Sequence, residues 1–209
     1  MAARDLFSPE LKRAVAEGVA RVEETTSAEV VVAVHKRSAV YREAFWLSGA
    51  LLAFVALLLL LFLPQPFTVE TMPIDVCVAF LLGAAAAWRI PQLERLFASR
   101  ASMRAAVELA AHTELFRGGV SQTRRRTGVL VYVSVLESRA HVVADLGLTG
   151  VEELDAWKTA VRLIERAAAR RDSGALVAGL AALAGPLAAR CPKTHDDIDE
   201  LPNEPRHAN

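Results

Sequence analysis

Asp145 closes an apolar run, His-Val-Val-Ala-Asp, and an aspartate presented at a strand end can attack phosphorus as a carboxylate nucleophile. Such a step needs a second acid to protonate the leaving oxygen, and the place two residues on is filled by Gly147. The residues therefore favour an Asp145 that caps the following turn over a catalytic one. Together with Asp155, and with Glu137 or Glu152 beside them, Asp145 would offer the hard oxygen ligands of a calcium or magnesium site, provided the fold made them converge. Arg124, Arg125 and Arg126, flanked by Thr123 and Thr127, could grip an anion through guanidinium forks and hydroxyls. No glycine-rich phosphate loop opens a helix there, so a lipid headgroup or solvent is the favoured neighbour.

Two further groups have chemical potential and a plainer reading. His112 falls between Leu109 and Phe116 at helical spacing, with no second ligand type spaced to join it, which predicts a position at the core edge. His195, Asp196, Asp197, Asp199 and Glu200 have the types of a metal site but sit in a polar stretch. Ordering that stretch costs entropy, so a solvated acidic tail or a partner-docking peptide is favoured. The chain carries 24 basic and 24 acidic residues, a balance that excludes an overall electrostatic affinity for nucleic acid. Its two cysteines form neither a disulfide framework nor a CxxC pair.

The elements that position these residues are interrupted by a membrane signature. Phe45 to Leu63 is 19 residues without a charge, about 28 Å as a helix and enough for one bilayer crossing. Ile74 to Ile90 is a second, Ala-rich segment, bounded by Asp75 at its outer interface and Arg89 at the other end. Pro64, Pro66 and Pro73 mark the turn between them, and Trp46 and Trp88 stand at the opposite ends, as interfacial aromatics do. Residues 1–44 hold seven Lys or Arg, the turn holds none, and the other 17 follow Trp88. The positive-inside rule then puts both termini in the cytoplasm of a bacterial-type inner membrane, with two crossings. A cleavable signal is not expected, because 44 mixed-charge residues precede the first apolar segment.

Around this hairpin, Ser8-Pro9-Glu10 opens a helix to about Glu24, with Leu11, Val15, Val19 and Val22 on its apolar side. Ala28 to His35 is β-branched and apolar at successive positions, the pattern of a strand covered on both faces. Beyond Pro91, a helix runs from Ser102 to Phe116 and stops at Gly118-Gly119. Gly128–Val135 and His141–Leu146 form an antiparallel hairpin, and Thr149 with Glu152 fits a capping box for a helix that puts Trp157 in the core. A final helix carries Leu176, Leu180, Leu183 and Leu187 in one stripe, and from Lys193 the chain reads as a loose tail. The expected organisation is a helix and first strand over 1–44, a membrane hairpin over 45–91, the rest of the domain over 92–190, and a flexible acidic tail over 191–209. Strands covered on both faces require a small three-layer α/β/α arrangement.

Arg126-Thr127-Gly128-Val129-Leu130, Ser134, Glu137, His141 to Asp145 and Trp157 together resemble the TPM domain family. The likeness is to its bacterial membrane-bound branch, over roughly Phe116 to Pro192, with Asp197 to Pro202 similar to the branch's acidic Glu-Leu-Pro ending. One departure is that Ser138 stands between Glu137 and Arg139, where the branch has Arg directly after Glu. The resemblance implies an α/β domain whose relatives range from a plant thylakoid protein of photosystem II repair to an animal receptor auxiliary subunit. Phosphatase activity and calcium binding have been attributed to some of them. The expectation is a membrane-anchored, cytoplasmic TPM-like domain that binds a protein partner or organises a membrane complex without catalysis. A divalent-cation-dependent phosphate-monoester hydrolase built on Asp145, or a calcium-binding domain, is the alternative.

Overall fold

A computed structural model describes residues 9–63, 69–194, 200–202 and 205–208, and the chain divides into two compact units, residues 1–38 with 104–209, and residues 39–103. The second unit is wider than the expected 45–91, because it keeps a short extra helix and the start of the next.

The first unit is built on a four-stranded sheet of order β3-β2-β1-β4, with β1 Glu29–His35, β2 Gly128–Ser134, β3 Arg139–Ala144 and β4 Arg206–Ala208. β1 runs parallel to β2 and β4, and β2 is antiparallel to β3. Successive side chains on a strand point to opposite faces, which explains why β1 and β2 are apolar at nearly every position. Val30, Val32, Val34, Val129, Val131 and Val133 join one core. Val31, Ala33, Leu130 and Tyr132 join another on the opposite face. The first core is closed by α1 Pro9–Glu23, α6 Asp155–Arg170, α7 Ser173–Ala181 and α8 Ala184–Arg190, and the second by α5 Arg100–Arg117. The expected stripe Leu11, Val15, Val19 and Val22 of α1 is buried throughout, and Trp157 is 4% exposed on α6.

Three local expectations are corrected. Thr149 does not cap a helix: its hydroxyl donates back to the Leu146 carbonyl at 2.6 Å, Val151–Glu153 is a short 3-10 turn, and α6 begins only at Asp155. The last helix is two, α7 and α8, although all four leucines of its stripe stay buried. The loose tail is, in its described residues, tied to the sheet. Glu200 and Leu201 amides donate to the Glu29 carboxylate at 3.3 and 3.2 Å, and β4 adds to the edge of β1. The sequence signal for β4 is only three residues long, too short for a periodicity argument. Residues 195–199 lie outside the described residues.

The second unit contains α2 Arg42–Phe62, α3 Met72–Arg89 and α4 Pro91–Phe97. Pro91 does more than stop α3. Ile90 turns extended at φ −113°, ψ 99°, and Pro91 then occupies the first turn of α4, where its missing N–H costs nothing. Small residues make the α2–α3 contact: Ala44, Ser48 and Gly49 face Gly83 and Ala87. A Cβ on Gly83 would lie 2.6 Å from the Ser48 carbonyl oxygen, and the Ser48 hydroxyl donates to the Gly83 carbonyl at 2.9 Å.

Among the described residues, three helical stretches are long and apolar enough to cross a membrane: Arg42–Phe62, Met72–Arg89 and Ser173–Arg190, one more than the two expected. They differ in what covers them. The first two are 11% buried and display Leu51, Phe54, Leu61, Leu81 and Leu82 outwards. The third is 33% buried, and its Leu176, Leu180, Leu183 and Leu187 are core residues of the sheet domain.

Candidate functional site

The motif residues at the start of β2 and the end of β3 form a clasp. Arg126 Nε donates to Asp145 Oδ2 at 2.7 Å and its Nη2 to Oδ1 at 2.8 Å. Oδ1 also accepts the Leu146 amide at 2.8 Å. Burial would raise the Asp145 pKa, but the Arg126 hydrogen bonds, the Leu146 amide and the Arg126 charge outweigh it and hold the carboxyl below its usual value. Arg126 is raised in turn, chiefly by its hydrogen bond to Asp145. The backbone closes the same contact. Arg126 sits at φ 57°, its amide donates to Thr123 at 3.0 Å, and its carbonyl accepts the Gly147 amide at 2.8 Å. Gly147 is required, since a Cβ there would lie 2.1 Å from the Arg125 carbonyl oxygen. Asp145 thus caps the turn after β3, as the residues favoured, and both its oxygens are committed.

The other sequence-predicted residues are not brought together with it. Glu137 is 3% exposed at the far end of β2, where Oε1 accepts the Ser38 amide at 3.0 Å and Oε2 the Ser134 hydroxyl. Glu152 is exposed on the 3-10 turn, and Asp155 is fully exposed beside Lys158 at 3.8 Å. The proposed set of Asp145, Asp155, Glu137 and Glu152 is therefore dispersed. Among the described residues no group of three or more His, Cys, Asp or Glu could hold a metal ion. Nor do Arg124, Arg125, Arg126 and Thr127 act as one anion cradle. Arg126 is taken by Asp145, and the Thr127 hydroxyl donates to the Ser27 carbonyl at 3.2 Å. The Arg124 amide donates to Glu200 at 3.1 Å, placing a carboxylate where an anion would bind, and only the Arg124 and Arg125 side chains stay exposed.

The Glu137 end of the sheet is also filled. Open parallel sheets bind ligands beyond the carboxyl ends of their strands, and here Tyr132 Oη meets Ser38 Oγ at 3.2 Å while the His35 ring packs at 4.7 Å from Tyr132. Burial lowers the His35 pKa against the opposing pull of Glu114, and burial raises Tyr132. Ser138, the residue that parts Glu137 from Arg139, takes a left-handed φ of 49° in the β2–β3 turn and accepts Arg171 Nε at 3.1 Å. The Glu137 carboxylate thus accepts from the Ser38 amide and the Ser134 hydroxyl across the strand ends.

A site that the sequence did not suggest lies along the free edge of β3. There α5 and α6 leave a groove of about 500 Å3, lined by Glu108, His112, His141, Glu152, Trp157 and Arg162 among others. His112 is exposed, not packed at the core edge as expected, because it lies beyond the sheet edge that α5 overhangs. Its ring is 5.7 Å from that of His141. His112 Nδ1 lies 2.8 Å from the Glu108 carbonyl, which can only accept, so that nitrogen carries the proton and Nε2 is left as an acceptor in the neutral ring. The His141 pKa is lowered, by burial first and also by His112, against the opposing charges of Glu108, Glu165 and Glu152. His141 had one signal in the sequence: it is a polar residue at the third position of an edge strand, followed by two apolar residues that are buried. The pairing with His112, 29 positions away, had none.

The fold is similar to that of the BA42 protein from the psychrophilic bacterium Bizionia argentinensis, solved by NMR. The two share 19% identity at a TM-score of 0.58, over 96% of this chain and 94% of that one. No protein-family model matches the chain, and no curated protein matches it. At that identity the likeness establishes the mixed α/β fold alone.

Proposed function

We propose that the protein is a TPM-like module of a bacterial inner membrane. Two helices, α2 and α3, anchor it with both termini in the cytoplasm, and its sheet domain binds a protein partner instead of turning over a substrate. Anchoring is supported by the outward apolar surface of α2 and α3 and by the basic residues that flank but do not enter the turn between them. Ser173–Arg190 is assigned to the sheet domain, because its leucine stripe is already buried there. The observation that carries binding over hydrolysis is the Asp145 carboxylate. A nucleophile needs a free oxygen and a nearby proton donor for the leaving group, whereas both Asp145 oxygens are held by Arg126 and the position two residues on is Gly147.

The topology is tested with single cysteines in a Cys77→Ser, Cys191→Ser background. A membrane-impermeant maleimide added to intact spheroplasts should label Glu70→Cys in the turn at once. Arg125→Cys should label only after permeabilisation. Immediate labelling of Arg125→Cys would reject the cytoplasmic placement of the domain.

A further inference from the structure

The groove beside β3 has His141, Val142 and Val143 of the edge strand at its floor. The Asp145 amide donates to the Gly128 carbonyl at 2.8 Å. In an antiparallel pair the direction of these groups alternates, so Val143, His141 and Arg139 also face β2. Ala140, Val142 and Ala144 turn their N–H and C=O groups away from it, and among the described residues no hydrogen bond engages those outward groups. A sheet edge of this kind is a template for another strand.

Two features select the occupant. Ala140 and Val142 are only 7% and 8% exposed although they belong to an edge strand, so the edge is recessed between α5 and α6. Two equally recessed edges cannot reach each other, which disfavours a second copy of this chain and favours a single extended peptide. The walls then differ in charge. The α5 side presents the Glu108 carboxylate and the His112 and His141 imidazoles, which suits hydrogen-bond donors and positive charge. The α6 side presents Trp157 and Val161 with Lys158 and Arg162, whose two positive charges outnumber the one negative charge of Glu152 beside them, so it suits an apolar side chain better than a basic one. An extended peptide alternates its side chains between two faces, so one strand can meet both demands.

We propose that the recessed β3 edge binds one extended peptide as a fifth strand, its basic side chains towards α5 and its aliphatic side chains towards α6. This rests on the reading of the protein as a partner-binding module and names the chemistry of the partner. The test uses the full chain in a non-ionic detergent and a fluorescein-labelled acetyl-Lys-Val-Lys-Val-Lys-Val peptide, read by anisotropy at about physiological salt. Binding should saturate. Methylating the alternate peptide amides that face β3, which leaves charge and side chains intact, should weaken it at least about tenfold. Glu108→Gln, on the exposed wall of α5, should weaken it by about the same factor without changing the circular dichroism. A peptide with Glu in place of Lys should not bind.

Equal binding of the methylated peptide, of the Glu peptide, or by the Glu108→Gln protein would overturn the proposal, as would no binding at all. Each of those results removes the edge site and leaves the anchored-module reading standing on topology and turnover, which are measured separately.

Discussion

β3 carries charged and polar groups at two places, and the two are handled in opposite ways. At its end, Asp145 is enclosed by Arg126, by the Leu146 amide and by the Arg125–Arg126 backbone packed on Gly147. Along its edge, the His141 ring lies 5.7 Å from that of His112 in a groove that Glu108 also lines, beside backbone groups that point outwards. The end has the residue types of chemistry and the geometry of a fastening. Its three parts, Arg126, Asp145 and Gly147, are the ones that stand out in the sequence, and each is consumed in closing a turn. The edge has few conspicuous residues, and what makes it available is backbone direction.

Changes at the end should cost folding, and changes at the edge should not. The largest effect is expected for Gly147→Ala. Its Cβ would press on the Arg125 and Arg126 carbonyls from 2.1 and 2.6 Å, and the forced backbone shift should cost about 3 kcal/mol in denaturant unfolding of the full chain. An unchanged unfolding midpoint would show that the clasp yields freely and would dissolve the contrast.

A smaller and pH-dependent effect is expected at Asp145. Its folded pKa is lowered, so its contribution to stability is present above the ordinary carboxylate value of 3.8 and is lost as pH falls through the lower folded value. Asp145→Asn should therefore be less stable than the parent at neutral pH, and the difference should shrink as the pH is taken below about 4. A difference that grew on acidification would mean that Asp145 is not the group held ionised by Arg126. The smallest effect belongs to the edge. His112 is exposed, with a hydrogen bond within its own helix and a ring contact with His141, so His112→Ala should shift stability by no more than about 0.5 kcal/mol. A loss as large as that of Gly147→Ala would make the groove a part of the core.

The sequence was most readable where a single element carries its own pattern. The stripe of α1, the double-sided apolar runs of β1 and β2, the β2–β3 hairpin and the two exposed apolar helices follow from local periodicity and composition. Expectations failed where a competing partner decides, whether near in sequence or remote from it. Thr149 has the spacing of a cap, but Leu146 captures its hydroxyl. Glu200 and Arg206 look like tail residues, yet Glu29, the Arg124 amide and the edge of β1 hold them. The acidic quartet had the right types, but the expected β2–β3 hairpin already set Glu137 and Asp145 at opposite ends of a strand pair, and the structure keeps them there. The groove was hidden because its walls come from separate elements, α5, β3 and α6. An open edge is a property of strand order, and no residue type announces it.

The central claim, that the domain binds and does not hydrolyse, is tested most directly by turnover. Full-length protein in detergent is incubated with p-nitrophenyl phosphate and millimolar calcium or magnesium, beside Asp145→Asn refolded and assayed identically. The predicted result is release of p-nitrophenol at the buffer rate for both proteins with either metal. Metal-dependent release by the parent that disappears in Asp145→Asn would contradict it, and would make the Arg126–Asp145 clasp a resting state of an active site.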